Sequence, residues 1–464
     1  MSSIPLSLVR RLWGAIDDGI PLPPGGLLPG DVVLDGPRVT LPAGFDVTGL
    51  AIGAVACATL AAAQLLALRH GARDVPGVRV DSREASAAFA AEGRFTPVGW
   101  ERPPLWDPIA GNYRAADGWI RLHTNYPSHR AAVERVLGAR DRATVEERVS
   151  ALAAERLEQA VVAAGGAAAA LRTREQWLAT EAGAATAAAP AVATAWTPGA
   201  RVASWAPRPE LPFAGVRVLD LTRVIAGPVC TRFLAGYGAD VLRVDPPGFA
   251  EVPPLLPETT LGKRTAALDL ATAAGRARLD ALIAGADVLV CGLRAGALER
   301  RGYSDERLRA LNPDLVVARL NAYGWSGPWR ERRGFDSLVQ LSCGISAGET
   351  APGSAPGALP VQALDHATGW LLGAAIARAL AVRLAERRVA TIRASLVGTA
   401  NLLFSLPVSD EPADPRSLDD VPLVERMTAW GPALATGPAA RIDGAPQAWA
   451  HEAGPLGRHE AEWR

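Results

Sequence analysis

From Val216 to Leu320 the chain alternates short apolar runs with helical stretches, and this alternation constrains the fold more than any other feature. Val216–Leu221 (VRVLDL) reads as a buried strand ending in the turn Thr222–Pro228. Cys230–Gly236 reads as a helix, and Val241–Val244 as a second strand running into Asp245-Pro-Pro-Gly. Ala266–Leu270, Val288–Val290 and Leu315–Leu320 continue the strands; Thr272–Ile283, Ala297–Glu299 and Ser304–Leu311 continue the helices. Such a pattern predicts a parallel, doubly wound α/β sheet. No G-x-G-x-x-G follows the first strand, so neither NAD nor FAD is expected.

The 464 residues are enough for two or more domains. Residues 1–45 are Pro/Gly-rich, expected to be loops around short strands, and the first of them lack the long apolar core and cleavage site of a signal peptide. A helix is expected over Leu50–Arg69, a strand over Val78–Asp81 and a helix over Ser82–Glu92. Asp117-Gly118 signals a hairpin into the strand Trp119–His123, and Pro127 to about Ala182 reads as helical. Ala184–Pro209 is a low-complexity Ala/Pro connection, and the main boundary is set there. Three parts follow: 1–207, a sheet domain over 208–406, and a Pro/Gly-rich tail over 407–464 expected to wrap back over the body. Val47–Leu68 is long and apolar enough to raise a transmembrane question, but Gln64 and a relative later in the chain favour a buried helix.

Lys+Arg and Asp+Glu are both 48, so nothing global steers the protein toward nucleic acid or a membrane surface. Lys263 is the only lysine, which makes its position informative. The four cysteines (Cys57, Cys230, Cys291, Cys343) are scattered without C-x-x-C, as expected of buried free thiols in a reducing cytosol. Six histidines without ligand spacing make no case for a metal.

Leu359–Glu386 reads as an extended entry, then Asp365, then about five turns of apolar helix. The segment alone leaves two readings of Asp365: a helix N-cap, or a carboxylate that the helix dipole keeps ionised. Phe45–Phe89 and Leu364–Phe404 are alike: an apolar residue before Asp, Thr-Gly within four residues, an Ala-rich helix, then a short Val/Ile strand. A partial internal duplication is inferred, with Asp46 the counterpart of Asp365.

Phe213–Gly248 (FAGVRVLDLTRVIAGPVCTRFLAGYGADVLRVDPPG) closely resembles the opening of class III (CaiB/BaiF-type) CoA transferases. The resemblance continues through Gly262–Leu270, Ala286–Val290, Arg309–Ala318, Gly324–Trp329, Gly334–Gln340 and the Asp365 helix. The first half resembles later family segments: Pro108–His123 the strands entering the small domain, and Glu175–Ala182 the helix before the chain returns. Pro455–His459 resembles the family's terminal motif. The pieces stand out of the usual order, as in a fused, partly degenerate duplicate.

The resemblance implies a Rossmann-like parallel sheet domain, a smaller α+β domain, and CoA transfer from an acyl-CoA to a carboxylic acid. It implies that Asp365 is the nucleophile, passing through a mixed anhydride and an aspartyl-CoA thioester. On this reading Asp365 both caps and attacks, whereas Asp46 only caps. His366 is expected to cap or pack rather than act as a base. CoA is implied as a substrate portion, not a resident cofactor, and a homodimer or an internal pseudo-dimer is implied.

Val224, Ile225 and Ala226, in the turn Arg223–Pro228, match the family's CoA-contacting turn, although a tight strand-to-helix turn explains Gly-Pro equally well. Lys263 and Arg264 match its basic pair near the CoA phosphates, or else form a solvated surface pair; Arg333 or Arg332 supplies further charge. There are departures. Cys291-Gly-Leu-Arg-Ala-Gly296 lacks the Asn and Phe that flank adenine, Asp245-Pro246-Pro247 replaces an acidic-then-basic run, and no glycine-rich loop lies near Arg94–Asp107. A racemase of the same fold needs a His where Phe335 stands, and a non-catalytic CoA-binding relative is the other alternative.

Overall fold

The computed structural model describes residues 4–17, 32–72, 74–200, 205, 208, 210–416 and 418–464. Much of the Pro/Gly-rich N-terminal stretch and the end of the Ala/Pro connection lie outside the described residues.

Eight strands form one sheet: β1 (Ile16–Asp17), β2 (Val192–Pro198), β3 (Arg217–Leu221), β4 (Asp240–Asp245), β5 (Arg264–Ala267), β6 (Val288–Cys291), β7 (Val316–Asn321) and β8 (Arg388–Ser395). Their spatial order is β1-β2-β8-β7-β6-β3-β4-β5. From β8 to β5 every pairing is parallel. Parallel neighbours need crossovers that cover both faces, and β6 and β7 are accordingly buried at every position. After β3 the chain adds β4 and β5 on one side, then β6, β7 and β8 on the other. The direction of strand addition therefore reverses between β3 and β6, and the crevice beyond their carboxyl ends is where such sheets bind ligands.

The helices that position the site are α1 (Val47–Arg69), α2 (Ala226–Gly236), α3 (Asp336–Cys343) and α4 (Ala363–Glu386). α1 and α4 pack along each other in the core, and α2 packs on α4. Both long helices could cross a bilayer by length and composition, but 94% and 83% of their apolar windows are buried inside the protein. A helix that is apolar all round needs such a surrounding.

A second apolar cluster gathers Tyr113, Ile120, Val133, Val149 and Val161, between the strands Gly111–Arg114, Trp119–Leu122 and Ala168–Ala170 and the helices near them. The tail makes contacts with earlier elements of the chain. Its hairpin Leu423–Thr428/Gly431–Thr436 pairs with Thr96–Pro97, and His459 bonds the backbone of Thr265 on β5.

Three local expectations are corrected. Residues 192–198, read as connection, form β2, antiparallel to β8 from Arg388↔Pro198 to Ala394↔Val192. An Ala/Thr-rich run carries little strand signal of its own; the open edge of β8 supplies its hydrogen-bond partners. The Ala168–Ala170 strand interrupts the stretch read as helical, for the same reason: it pairs with Trp119–Leu122. The N-terminal region also contains a helix, Leu6–Gly14, which buries Leu8, Val9, Leu12 and Trp13 against the core.

Candidate active site

Asp365 is the third residue of α4, which starts after Gln362 without a side-chain cap from its own N-cap residue. The expectation that Asp365 caps its helix is therefore corrected. The cap comes from α3: the Asp336 carboxylate accepts from the N–H groups of Leu364 (2.8 Å) and Asp365 (3.0 Å). The amide of Gln340 donates to the other Asp336 oxygen. Asp336 is wholly buried and Asp365 is 7% exposed. Among the described residues no hydrogen bond reaches the Asp365 carboxylate. Asp46 behaves differently, capping α1 through Gly49 N–H (2.8 Å) and pairing with buried Arg38.

His366 is buried, stacked on Phe89 with ring centroids 5.1 Å apart, and its Nε2 lies 3.0 Å from Glu92 Oε2. Both Phe89 and Glu92 come from the first half of the chain. Glu92 was not legible as a site residue, because nothing in a short Ala/Glu helix points to a histidine 274 positions away. Burial, then the charges of Asp336 and Glu92, push Asp365 well above the usual carboxylate range. Burial also raises Asp336, to about 6, against the opposing pull of its N–H donors.

The turn after β3 is built on a buried polar knot. Asp220 accepts from Thr222 N–H and hydroxyl (2.9 and 2.6 Å), Thr231 hydroxyl (2.6 Å) and Lys263 Nζ (3.1 Å). These bonds tie the end of β3 to the middle of α2. Within the turn Val224 has φ 62°, a left-handed conformation that a β-branched residue adopts only under constraint, at a cost of about 1–3 kcal/mol. Ile225 precedes α2 and Ala226 opens it. A Cβ at Gly227 would lie 2.3 Å from Thr222 Cβ, so the glycine is needed for the turn itself.

α4 receives this turn at a second glycine. A Cβ at Gly369 would lie 2.4 Å from the Ala226 carbonyl oxygen and 2.8 Å from Val229 Cβ. Gly369 is one helical turn beyond Asp365, so this close approach brings the Val224–Ala226 turn to the Asp365 end of α4. Gly369→Ala is expected to drive α2 away and destabilise the fold by about 1–3 kcal/mol. A denaturant titration checks the loss.

The expected cations are placed unequally. Lys263 is fully buried against Asp220 and also donates to Pro228 O (3.2 Å). Arg264 is buried against Asp240 (2.9 and 3.0 Å) and donates to the Glu462 carbonyl. Neither side chain reaches the surface, contrary to the expectation of a pair facing phosphates; the physical reason is that each is held by a carboxylate of the sheet, Lys263 by the buried Asp220 and Arg264 by the partly exposed Asp240. Arg332 is paired with Glu158 (2.8 Å). Arg333 has no carboxylate partner among the described residues, and burial followed by the nearby charge of Arg294 lowers its affinity for its proton. Arg294 follows β6, at the reversal point of the sheet. Arg333 is half-buried and Arg294 exposed, and two like charges this close are suited to an anion. Arg294 escaped the sequence reading, although the family-like segment Cys291–Gly296 contains it.

A cleft of about 320 Å³, solvent included, is lined by Val229, Arg232, Phe233, Trp370, Arg426 and Trp449 rather than by Asp365. Its two arginines are both bound to Glu258, so it offers less free chemistry than the Asp365 end of α4. Among the described residues no cluster suited to a metal ion occurs.

Residues 213–416 match the model of CoA-transferase family III. The match spans a little under half of the chain. Three curated relatives are similar to this chain over part of its length. A probable fatty acyl-CoA transferase of Mycobacterium tuberculosis is 35% identical, over 37% of this chain and 47% of its own. The succinyl-CoA–D-citramalate CoA-transferase of Chloroflexus aurantiacus is 35% identical, over 30% and 38%. The formyl-CoA:oxalate CoA-transferase of Rhodopseudomonas palustris is 33% identical, over 40% and 47%. The chain thus spans less than half the length of these relatives. Among solved structures, a CaiB/BaiF family protein of Brucella suis aligns at 25% identity over 48% of this chain and 65% of its own, with TM-score 0.37.

Proposed function

We propose that the protein transfers CoA from an acyl-CoA to a carboxylic acid through Asp365. The Asp365 carboxylate attacks the thioester carbonyl and CoA thiolate leaves, giving a mixed anhydride. The thiolate then attacks the aspartyl carbonyl, releasing the donor acid and forming an aspartyl-CoA thioester. An acceptor carboxylate repeats the sequence in reverse and carries CoA away. The observation that carries the reading is the Asp365 carboxylate itself, 7% exposed and without a hydrogen-bond partner among the described residues, within the family-matching region. Water exclusion favours it, since both acyl intermediates hydrolyse.

For CoA we propose the Rossmann-like crevice at the reversal point, with the backbone of Val224, Ile225 and Ala226 along the pantetheine and Arg294 and Arg333 at the phosphates. Arg294→Ala and Arg333→Ala are each expected to weaken CoA binding about tenfold or more, measured by calorimetry.

The first half is proposed as a built-in partner arising from duplication. The parallel pairs Val32–Asp35/Val78–Asp81 and β7/β8 each bracket a long helix with an Asp at its start. The second strand of each pair runs straight into another helix. A cytoplasmic setting is proposed with it, in keeping with four free, buried cysteines.

Incubation with an acyl-CoA and hydroxylamine tests the reaction. A hydroxamate at Asp365, read by mass spectrometry, is expected; no adduct and no CoA exchange would sink it. CoA binding retained in that sample would favour a binding relative instead. Racemisation is disfavoured because Phe335, stacked on His123 at 3.7 Å, carries no proton.

A further inference from the structure

Asp336 lies in the same buried setting as Asp365 and is not needed as a nucleophile. Two of the N–H groups that open α4, those of Leu364 and Asp365, point at the Asp336 carboxylate, and none donates to the Asp365 carboxylate. Negative charge is therefore stabilised on the capping carboxylate, while Asp365 shares the surroundings without that support. Two interacting carboxylates in a dry site do not both ionise freely.

We propose that Asp336 is a positioning residue for the proposed transfer: it clamps the first turn of α4 and, by holding the charge there, sets the protonation of Asp365. This rests on the reading of Asp365 as nucleophile. The groups facing the pair come from every element around it. Glu92 approaches from the Ala91–Arg94 helix and His366 from α4, Arg121 reaches Asp336 from the Trp119–Leu122 strand, and Cys343 lies on α3. For Asp365, burial, Asp336 and Glu92 all favour the protonated acid. The reactive carboxylate consequently grows in as pH rises, later than for an ordinary aspartate, and loss of the Asp336 charge brings that rise to lower pH.

Asp336→Asn is the decisive variant, because its amide oxygen still accepts from the helix while the charge is gone. In full-length protein carrying ¹³C-labelled aspartate carboxyls, with Asp365 identified by loss of its signal in Asp365→Asn, the Asp365 titration is expected to move down by about one pH unit or more. An unmoved titration in folded Asp336→Asn overturns the proposal. Should that variant fail to fold, the wild-type protein decides: Asp336 and Asp365 are expected to titrate in two coupled steps, and independent single steps overturn it. The acid limb of CoA transfer moves in the same direction in Asp336→Asn, which a cap of purely structural effect leaves in place. Coupled titration without any transfer by the wild type would sink the functional reading while leaving the charge linkage intact.

Discussion

Asp365→Asn is expected to lower CoA transfer by at least about 10³-fold, because the amide is no nucleophile and no second carboxylate can replace it. Asp336 is occupied by two N–H groups and Gln340, and Glu92 is held by His366. The substitution keeps size and burial and removes an unfavourably buried charge, so the fold is retained. Steady-state transfer, hydroxamate trapping and CoA affinity separate the outcomes. Transfer and adduct are lost together, while CoA still binds. Residual transfer within tenfold of wild type would remove Asp365 from the chemistry.

Lys263→Met is expected to cost stability, not CoA affinity. Burial opposes ionisation of Asp220, yet Lys263 and Arg243 outweigh it and hold the carboxyl below its usual range. Burial pushes Lys263 down to about 8, still charged at neutral pH, so the two form a wholly buried ion pair. Removing the lysine leaves the Asp220 charge without its hydrogen-bonded cation, at a cost of about 3–5 kcal/mol, the lower end favoured by Arg243. Guanidinium unfolding measures the loss, and Asp220→Asn in the same chain should recover part of it. CoA affinity of the folded variant stays within about twofold. A strong loss of affinity at unchanged stability would return Lys263 to the ligand.

Much of the second half was legible because its signals are local. β3, β4, β6 and β7 are short runs built on Val and Leu, and β6 and β7 are buried at every position, as strands covered on both faces are. The Val224–Ala226 turn followed from Gly227-Pro228, and Asp46 was readable as a cap because its partner, Gly49, is three residues away. β2 was not legible, because its strand character comes from the edge of β8 some two hundred residues later. The Lys263-Arg264 pair misled for a related reason: a basic dipeptide looks solvated until the strands that place Asp220 and Asp240 beside it are assembled.

The opposite fates of Asp46 and Asp365 mark the same division. By itself the sequence determined an α/β chain with a parallel sheet, two apolar helices each opened by an aspartate, and a family resemblance that singled out the second. Only the tertiary structure decided that Arg38 neutralises the first aspartate, that Asp336 caps the second helix, and that Glu92 from the first half reaches His366. Propensity and periodicity act over a few residues and are written locally. The charge state of a buried carboxylate is set by whichever distant groups the fold brings within hydrogen-bonding or Coulombic reach.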